Sequence, residues 1–305
     1  MTASATHPRP PGVLAMISRI GLVRLIGIGF PLLAGLGLVM AFHFEVGRKR
    51  LTPPLDLTAT LALMAGLVGV YALLVRLFEG RWPRELALRP GARLFGLGLA
   101  IGVALFCAVY AILTLLGVAD WRGFNGFSGL PSMLLLAIVG GVGEELIFRG
   151  VVFRLLEESA GTLVALALSA GLFGLMHAGN PGSTAVSTLA IALEAGLLLA
   201  GAYAWSRSLW LPIGIHIAWN FTEGGVFGAP VSGGKAEGLF GVALSKTASP
   251  LITGGAFGPE ASLVAIAVCL ALAAVFLAAA HRAGAWRPPT FRLVLDRGPG
   301  SSPPP

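Results

Sequence analysis

The chain has 305 residues, 56% hydrophobic and 11% charged, with a net charge of +7 and a mean hydropathy of +0.85. A soluble domain carries about 25% charged residues, so this composition excludes an ordinary soluble protein and points to an all-α polytopic transmembrane bundle. Most Lys and Arg flank apolar runs, which makes membrane lipid headgroups, and not nucleic acid, the partner of the positive charge.

Residues 1–24 divide into a Pro-rich, disordered N-terminus and an interfacial lead-in whose apolar run is broken by Arg19 and Arg24. Eight apolar runs come next, at 25–43, 57–78, 94–117, 131–156, 161–178, 184–203, 209–228 and 260–281. They define a transmembrane domain over 25–283, and a disordered cytoplasmic tail occupies 284–305. With an even number of spans both termini share one side. The termini and even-numbered loops hold 14 basic residues, Arg154 among them, against six in the opposite loops. The positive-inside rule therefore places both termini in the cytoplasm. Cys107 and Cys269 lie inside apolar runs and read as small buried side chains, with no disulfide. The second loop, GRWPRELALRPGARL, is basic and suits the cytoplasmic headgroups. The seventh, 229–259, is long and glycine-rich, a type that is functional or disordered. It leads into GGAFGPE, with Pro259 and Glu260 placed to open the last helix.

The chemistry lies in a motif core over 131–228. GGVGEELIFRG puts Glu144, Glu145 and Arg149 inside an apolar run, where a charge costs about 2.5–3.5 kcal/mol on insertion scales. Glu145 and Arg149 are four apart with the acid first, the favourable order for an intrahelical ion pair. Glu144 then lies about 100° around the helix without a local partner, free to face water and act as a base. Two later runs add Phe173-x-x-x-His177 and His216-x-x-x-Asn220. A base, two imidazoles and an amide on three helices are the components of a hydrolase. Depth along the helices is the difficulty. At ~1.5 Å per residue, His177 lies about 24 Å into its run and His216 about 10 Å into its own. Tilt, a broken helix or shifted boundaries must bring them level.

These motifs in this order resemble the CPBP family, the type II CAAX prenyl endopeptidases and the bacteriocin-processing or self-immunity proteins, over a region from about Arg81 to the last run. The resemblance implies an eight-helix intramembrane protease of the bacterial inner membrane acting on a peptide or membrane-protein substrate. In it Glu144 and His177 activate water, and His216 and Asn220 stabilise the oxyanion. Glu145 and Arg149 brace the helix, and Phe173 packs beside the site. Whether metal takes part is left open. HExxH is absent, while Glu144, His177 and His216 form a possible open zinc set; a metal-free glutamate mechanism fits equally.

Three rivals remain. Gly126-Phe127-Ser128-Gly129 spells the tetrad of rhomboid serine proteases, but Ser128 sits ahead of Pro131 as a loop or cap serine. GGAFGPE could bind an anion in a channel or transporter, although no internal repeat accompanies it. A non-catalytic scaffold or immunity protein would carry the same motifs. Glu194 is a further intramembrane acid, lining the cavity or bonded to a neighbour, and solvation at the end of its span accounts for Glu223.

Overall fold

The computed structural model describes residues 21–49 and 53–288. The N-terminal and C-terminal segments read as disordered lie largely outside these residues, although Gly21 to Arg24 already belong to the first helix. Eight long helical segments match the eight apolar runs: α1 (Gly21–Lys49), α2 (Pro53–Glu79), α3 (Leu88–Leu115), α4 (Leu130–Ala160), α5 (Thr162–Met176), α6 (Ala185–Ser206), α7 (Trp210–Asn220, continued by Phe221–Val226) and α8 (Leu263–Arg282). Of these, α1, α2, α3, α4, α6 and α8 are long and apolar enough to cross a membrane. Strand β1 (Ala119–Phe124) pairs antiparallel with β2 (Phe240–Leu244), with a bulge between Trp121 and Gly123. The chain is an all-α membrane bundle with one small ribbon.

The outer helices are apolar all round and expose large side chains such as Phe30, Leu38, Leu73 and Val275, as lipid contact requires. Helix α7 is the opposite: every residue from Leu211 to Asn220 is buried. It packs against α3 and α4 at backbone contact. A Cβ on Gly98 would strike the Leu211 carbonyl, and one on Gly214 the Phe95 carbonyl. Such small residues let helices approach closely where no hydrophobic effect drives them together, and here they carry His216 and Asn220 into the middle of the bundle.

Three helices are interrupted by π-helical turns, at Phe148–Phe153 in α4, Ala192–Gly196 in α6 and Phe221–Val226 after α7. Each turn carries a buried ionisable residue, respectively Arg149, Glu194 and Glu223. The extra residue in a π turn shifts the helical phase and re-aims the side chains beyond it, a device common at functional sites.

Two details differ from the sequence reading. Cys107 is exposed on α3, while Cys269 is buried. A periodic apolar run does not tell which face meets lipid, so an apolar-run cysteine can be on either. Arg154, assigned from the sequence as a loop cation, is inside α4 and 7% exposed. Its Nη2 lies 2.6 Å from Glu79 Oε1, and its Nε donates to the Gly150 carbonyl at 2.8 Å. Beside it Arg81 pairs with Glu85 at 2.9 Å, and Tyr71 donates to the same carboxyl. The basic second loop is therefore clamped onto the end of the bundle.

Burial by itself would raise the Glu85 carboxyl, but the hydrogen bonds from Arg81 and Tyr71 outweigh it and hold Glu85 below its ordinary value. Its stabilising effect is thus complete above the unfolded carboxylate range and is lost as pH falls through the lower folded value. Arg154→Ala removes one of the two cations that hold Glu79, leaving Arg81 at 2.7 Å, and should cost about 1.5–3 kcal/mol, as for loss of hydrogen bonds to a charged group. Unfolding of the detergent-solubilised variant measures this, and a change under about 1 kcal/mol would mean that the clamp is not holding the loop.

Candidate active site

Arg149 organises the site. Neither it nor Glu145 is exposed to solvent, and their Nη1–Oε1 distance is 2.7 Å. The other guanidinium nitrogen, Nη2, donates to the carbonyls of Ala195 and Gly196 at 3.0 and 3.1 Å, tying α4 to the π turn of α6. Its carbon stands 4.5 Å from the centre of the Phe173 ring, a cation–π distance. Phe173 in turn lies against both imidazoles, with centroids 4.9 Å from His177 and 6.1 Å from His216. Helices α4, α5, α6 and α7 thus meet around one charge pair.

The hydrogen bonds define the imidazole protons. His177 Nδ1 is 2.8 Å from the Phe173 carbonyl. A carbonyl only accepts, so Nδ1 carries the proton and Nε2 is left with a lone pair when the ring is neutral. That Nε2 lies 3.9 Å from Glu144 Oε2. This is beyond direct hydrogen bonding and suits a bridging water. His216 Nδ1 lies 3.0 Å from Glu145 Oε1, the oxygen that also receives Arg149. A carboxylate in an ion pair accepts, so Nδ1 of His216 donates, and Nε2 can donate as well only when the ring is an imidazolium.

Asn220 lies one turn beyond His216. A Cβ at Gly140 would stand 3.5 Å from Asn220 Nδ2 and 3.7 Å from Glu144 Oε1. The bare backbone of Gly140 therefore leaves room for the amide and the carboxyl to flank one spot. Glu144 Oε2 has no hydrogen-bond partner among the described residues.

Two cavities meet here. The outer, about 460 Å³, is mostly apolar and is lined by Leu33, Leu36 and Met40 of α1 together with Glu144, His177 and Asn220. The inner, about 20 Å³, is lined by His177, His216, Asn220, Glu194 and Glu260 among others. Such a volume holds about one water.

Helices α5 and α7 start within one residue of the apolar runs, so shifted starts do not account for the common level of the imidazoles. Helix α5 ends at Met176, and His177 is its cap. α7 starts at Trp210. His177 is therefore at an end and His216 in mid-helix, both beside Phe173. Glu144, His177, His216, Asn220, Glu145, Arg149 and Phe173 are all in this neighbourhood. Glu260, Glu223 and Ser232 are neighbours of the site that the sequence motifs do not reveal. They come from the glycine-rich loop and the end of α7, where no periodicity reports what a side chain faces. Glu223 is fully buried, so solvation does not account for it.

The rival motifs lie elsewhere or face otherwise. The cavity at Ser128 is lined by Asn125, Gly129, Glu237 and Gly238, with Gly228 and Ala236, and contains no histidine. In GGAFGPE the chain turns Glu260 inward, where Oε1 accepts the Ser232 N–H at 2.6 Å. That turn thus presents a carboxyl to the cavity, which does not suit an anion. Gly258 permits it at φ 131°, where a Cβ would also strike the Pro230 carbonyl. For zinc the donors do not fit. Among the described residues no three His, Cys, Asp or Glu side chains are placed to hold a metal ion.

Residues 126–222 match the family model of the Rce1-like type II CAAX prenyl endopeptidases. A stretch of 92 residues is 32% identical to the Bacillus subtilis (strain 168) protein named "Putative membrane peptidase YdiL", covering 30% of this chain and 35% of that protein. The match thus spans about a third of the relative's length. No solved structure matches the chain. Glu144, Glu145, Arg149, Phe173, His177, His216 and Asn220 all lie within the segment similar to the Rce1-like family, and both matches support a membrane protease.

The hydrogen-bond pattern predicts that neutral His177 is the Nδ1–H tautomer. Nitrogen chemical shifts of ¹⁵N-histidine-labelled protein in lipid check this, and an Nε2–H ring would contradict the geometry.

Proposed function

We propose that the chain is an intramembrane endopeptidase of the bacterial inner membrane, with both termini cytoplasmic, that hydrolyses a peptide bond in a membrane-protein or lipid-associated peptide substrate. The observation that carries this reading is the position of Glu144. Its unpartnered Oε2 and the His177 Nε2, 3.9 Å apart, face the apolar outer cavity beside Asn220.

Both facing atoms are acceptors, and a water has two protons to donate. A single water can therefore donate to Glu144 and to His177 Nε2 at once, which leaves a lone pair directed at a carbonyl carbon in the cavity. As the water attacks, Glu144 takes one proton. The carbonyl oxygen gains negative charge, which Asn220 Nδ2–H and the Nε2–H of protonated His216 stabilise. The tetrahedral carbon then releases the amine, the C–N bond breaks, and Glu144 returns its proton to the departing nitrogen. Glu145 compensates the imidazolium charge on His216, and its Oε1 is committed to Arg149 and His216. The apolar lining along α1 is suited to the side chains of a substrate segment delivered from the bilayer. The requirement for an imidazolium makes the rate fall as rising pH deprotonates His216.

Glu144→Gln and His177→Ala should abolish cleavage, Asn220→Ala should slow it roughly 10²–10³-fold, and Ser128→Ala should leave it intact. Proteomics of peptide termini in cells carrying wild type or Glu144→Gln reads the outcome and finds the substrate. Identical termini in the two strains would favour a non-catalytic scaffold.

A further inference from the structure

Behind the reacting face lies a group of carboxyls that hydrolysis by Glu144 leaves unused. Glu223, on the π turn after α7, has no solvent exposure, and neither of its oxygens meets a hydrogen-bond donor among the described residues. The turn Pro259–Ala261 brings Glu260 against it: a Cβ on the preceding Gly258 would stand 3.6 Å from Glu223 Oε1, and the Glu260 carboxyl faces that of Glu223. Glu260 is 3% exposed, and its Oε1 is held by the Ser232 amide. Two ionised carboxylates in contact repel each other. The contact becomes a hydrogen bond only when a proton lies between the oxygens, which would also give Glu223 the partner it lacks.

The surroundings do not supply the charge in another way. Glu194 faces the pair from α6 and is itself acidic, and the Cys269 thiol faces Glu194 from α8. The Tyr110 phenol faces Glu223 from α3. Arg149 reaches towards Glu194 but is committed to Glu145 and two backbone carbonyls. The cation facing Glu260 is the His177 ring when protonated. The inner cavity, with room for about one water, is lined by both Glu260 and His216.

We propose that Glu223 and Glu260 hold one proton between them and exchange it with His216 through a single water in the inner cavity. In the exchange Glu260 gives its proton to the water as the water gives one of its own to His216 Nε2. The reverse transfer restores the pair, and no other reactant is consumed. Glu223 and Glu260 are on this account positioning residues that set the charge of an imidazole. The role of that charge rests on the hydrolytic reading, whereas the shared proton does not.

The test uses the full chain in lipid nanodiscs. Infrared spectra at neutral pH should show a protonated-carboxyl component that Glu223→Gln removes and that Glu144→Gln and Glu194→Gln retain. Glu223→Asp, which keeps an acid, should retain it and serves if the glutamine variant folds poorly. In ¹⁵N-histidine spectra the titration of the His216 ring should shift in Glu260→Gln, a change that preserves the acceptor for the Ser232 amide, while that of His281 stays in place. Absence of the component from wild type, its survival in Glu223→Gln, or an unmoved His216 titration would overturn the proposal. A cleavage assay on the same samples separates the two readings: the component present with no cleavage contradicts the protease alone.

Discussion

One buried ion pair carries the architecture of the site. Removing a guanidinium and a carboxylate from water costs several kcal/mol per ion, and Arg149 and Glu145 are fully enclosed. That cost is offset in part by the contacts both make, although Arg149 Nε and Glu145 Oε2 have no hydrogen-bond partner among the described residues. Arg149 directs Nη2 at the π turn of α6 and its flat face at Phe173 of α5. Glu145 uses the oxygen that meets Arg149 to receive His216 of α7 as well. A single charge pair on α4 thereby orients three other helices, and the geometry of the site depends on it.

The two adjacent glutamates show how one helix assigns opposite roles to the same side chain. Glu145 faces the protein, pairs with Arg149 and accepts from two donors through Oε1. Glu144, turned about 100° away, faces the outer cavity, and its unpartnered Oε2 lies 3.9 Å from His177 Nε2. The same logic extends to the imidazoles. A backbone carbonyl fixes the His177 proton on Nδ1 and a carboxylate fixes that of His216, so His177 offers a lone pair where water needs an acceptor. His216 gains a second donor only on acquiring a proton. The carboxyl pair at Glu223 and Glu260 gives a physical source for that proton within a space too small for bulk water.

Much of the fold was legible because lipid imposes a simple rule: long apolar runs become helices. Each of the eight runs corresponds to one, with ends displaced by a few residues. The Glu145–Arg149 pair was legible for a similar reason, since four-residue spacing in a helix leaves little choice. Side-chain facing in irregular segments was not legible. Glu260 sits after a glycine-rich turn and Glu223 on a π turn, and in both places the helical phase used to assign faces is broken. Arg154 looked like a loop cation because its partners Glu79 and Glu85 are far away in the sequence. The common level of the histidines was not legible either, because rise along a helix gives depth within that helix and not how neighbouring helices are set against each other.

The most direct test of the central claim is a double-mutant cycle on the charge pair, read by unfolding in detergent. If the pair organises the bundle, Glu145→Gln and Arg149→Met should each destabilise by about 3–5 kcal/mol, because each leaves its partner charged and buried. The double variant should then cost well under their sum. Additive losses, or single variants that unfold like wild type, would contradict the account.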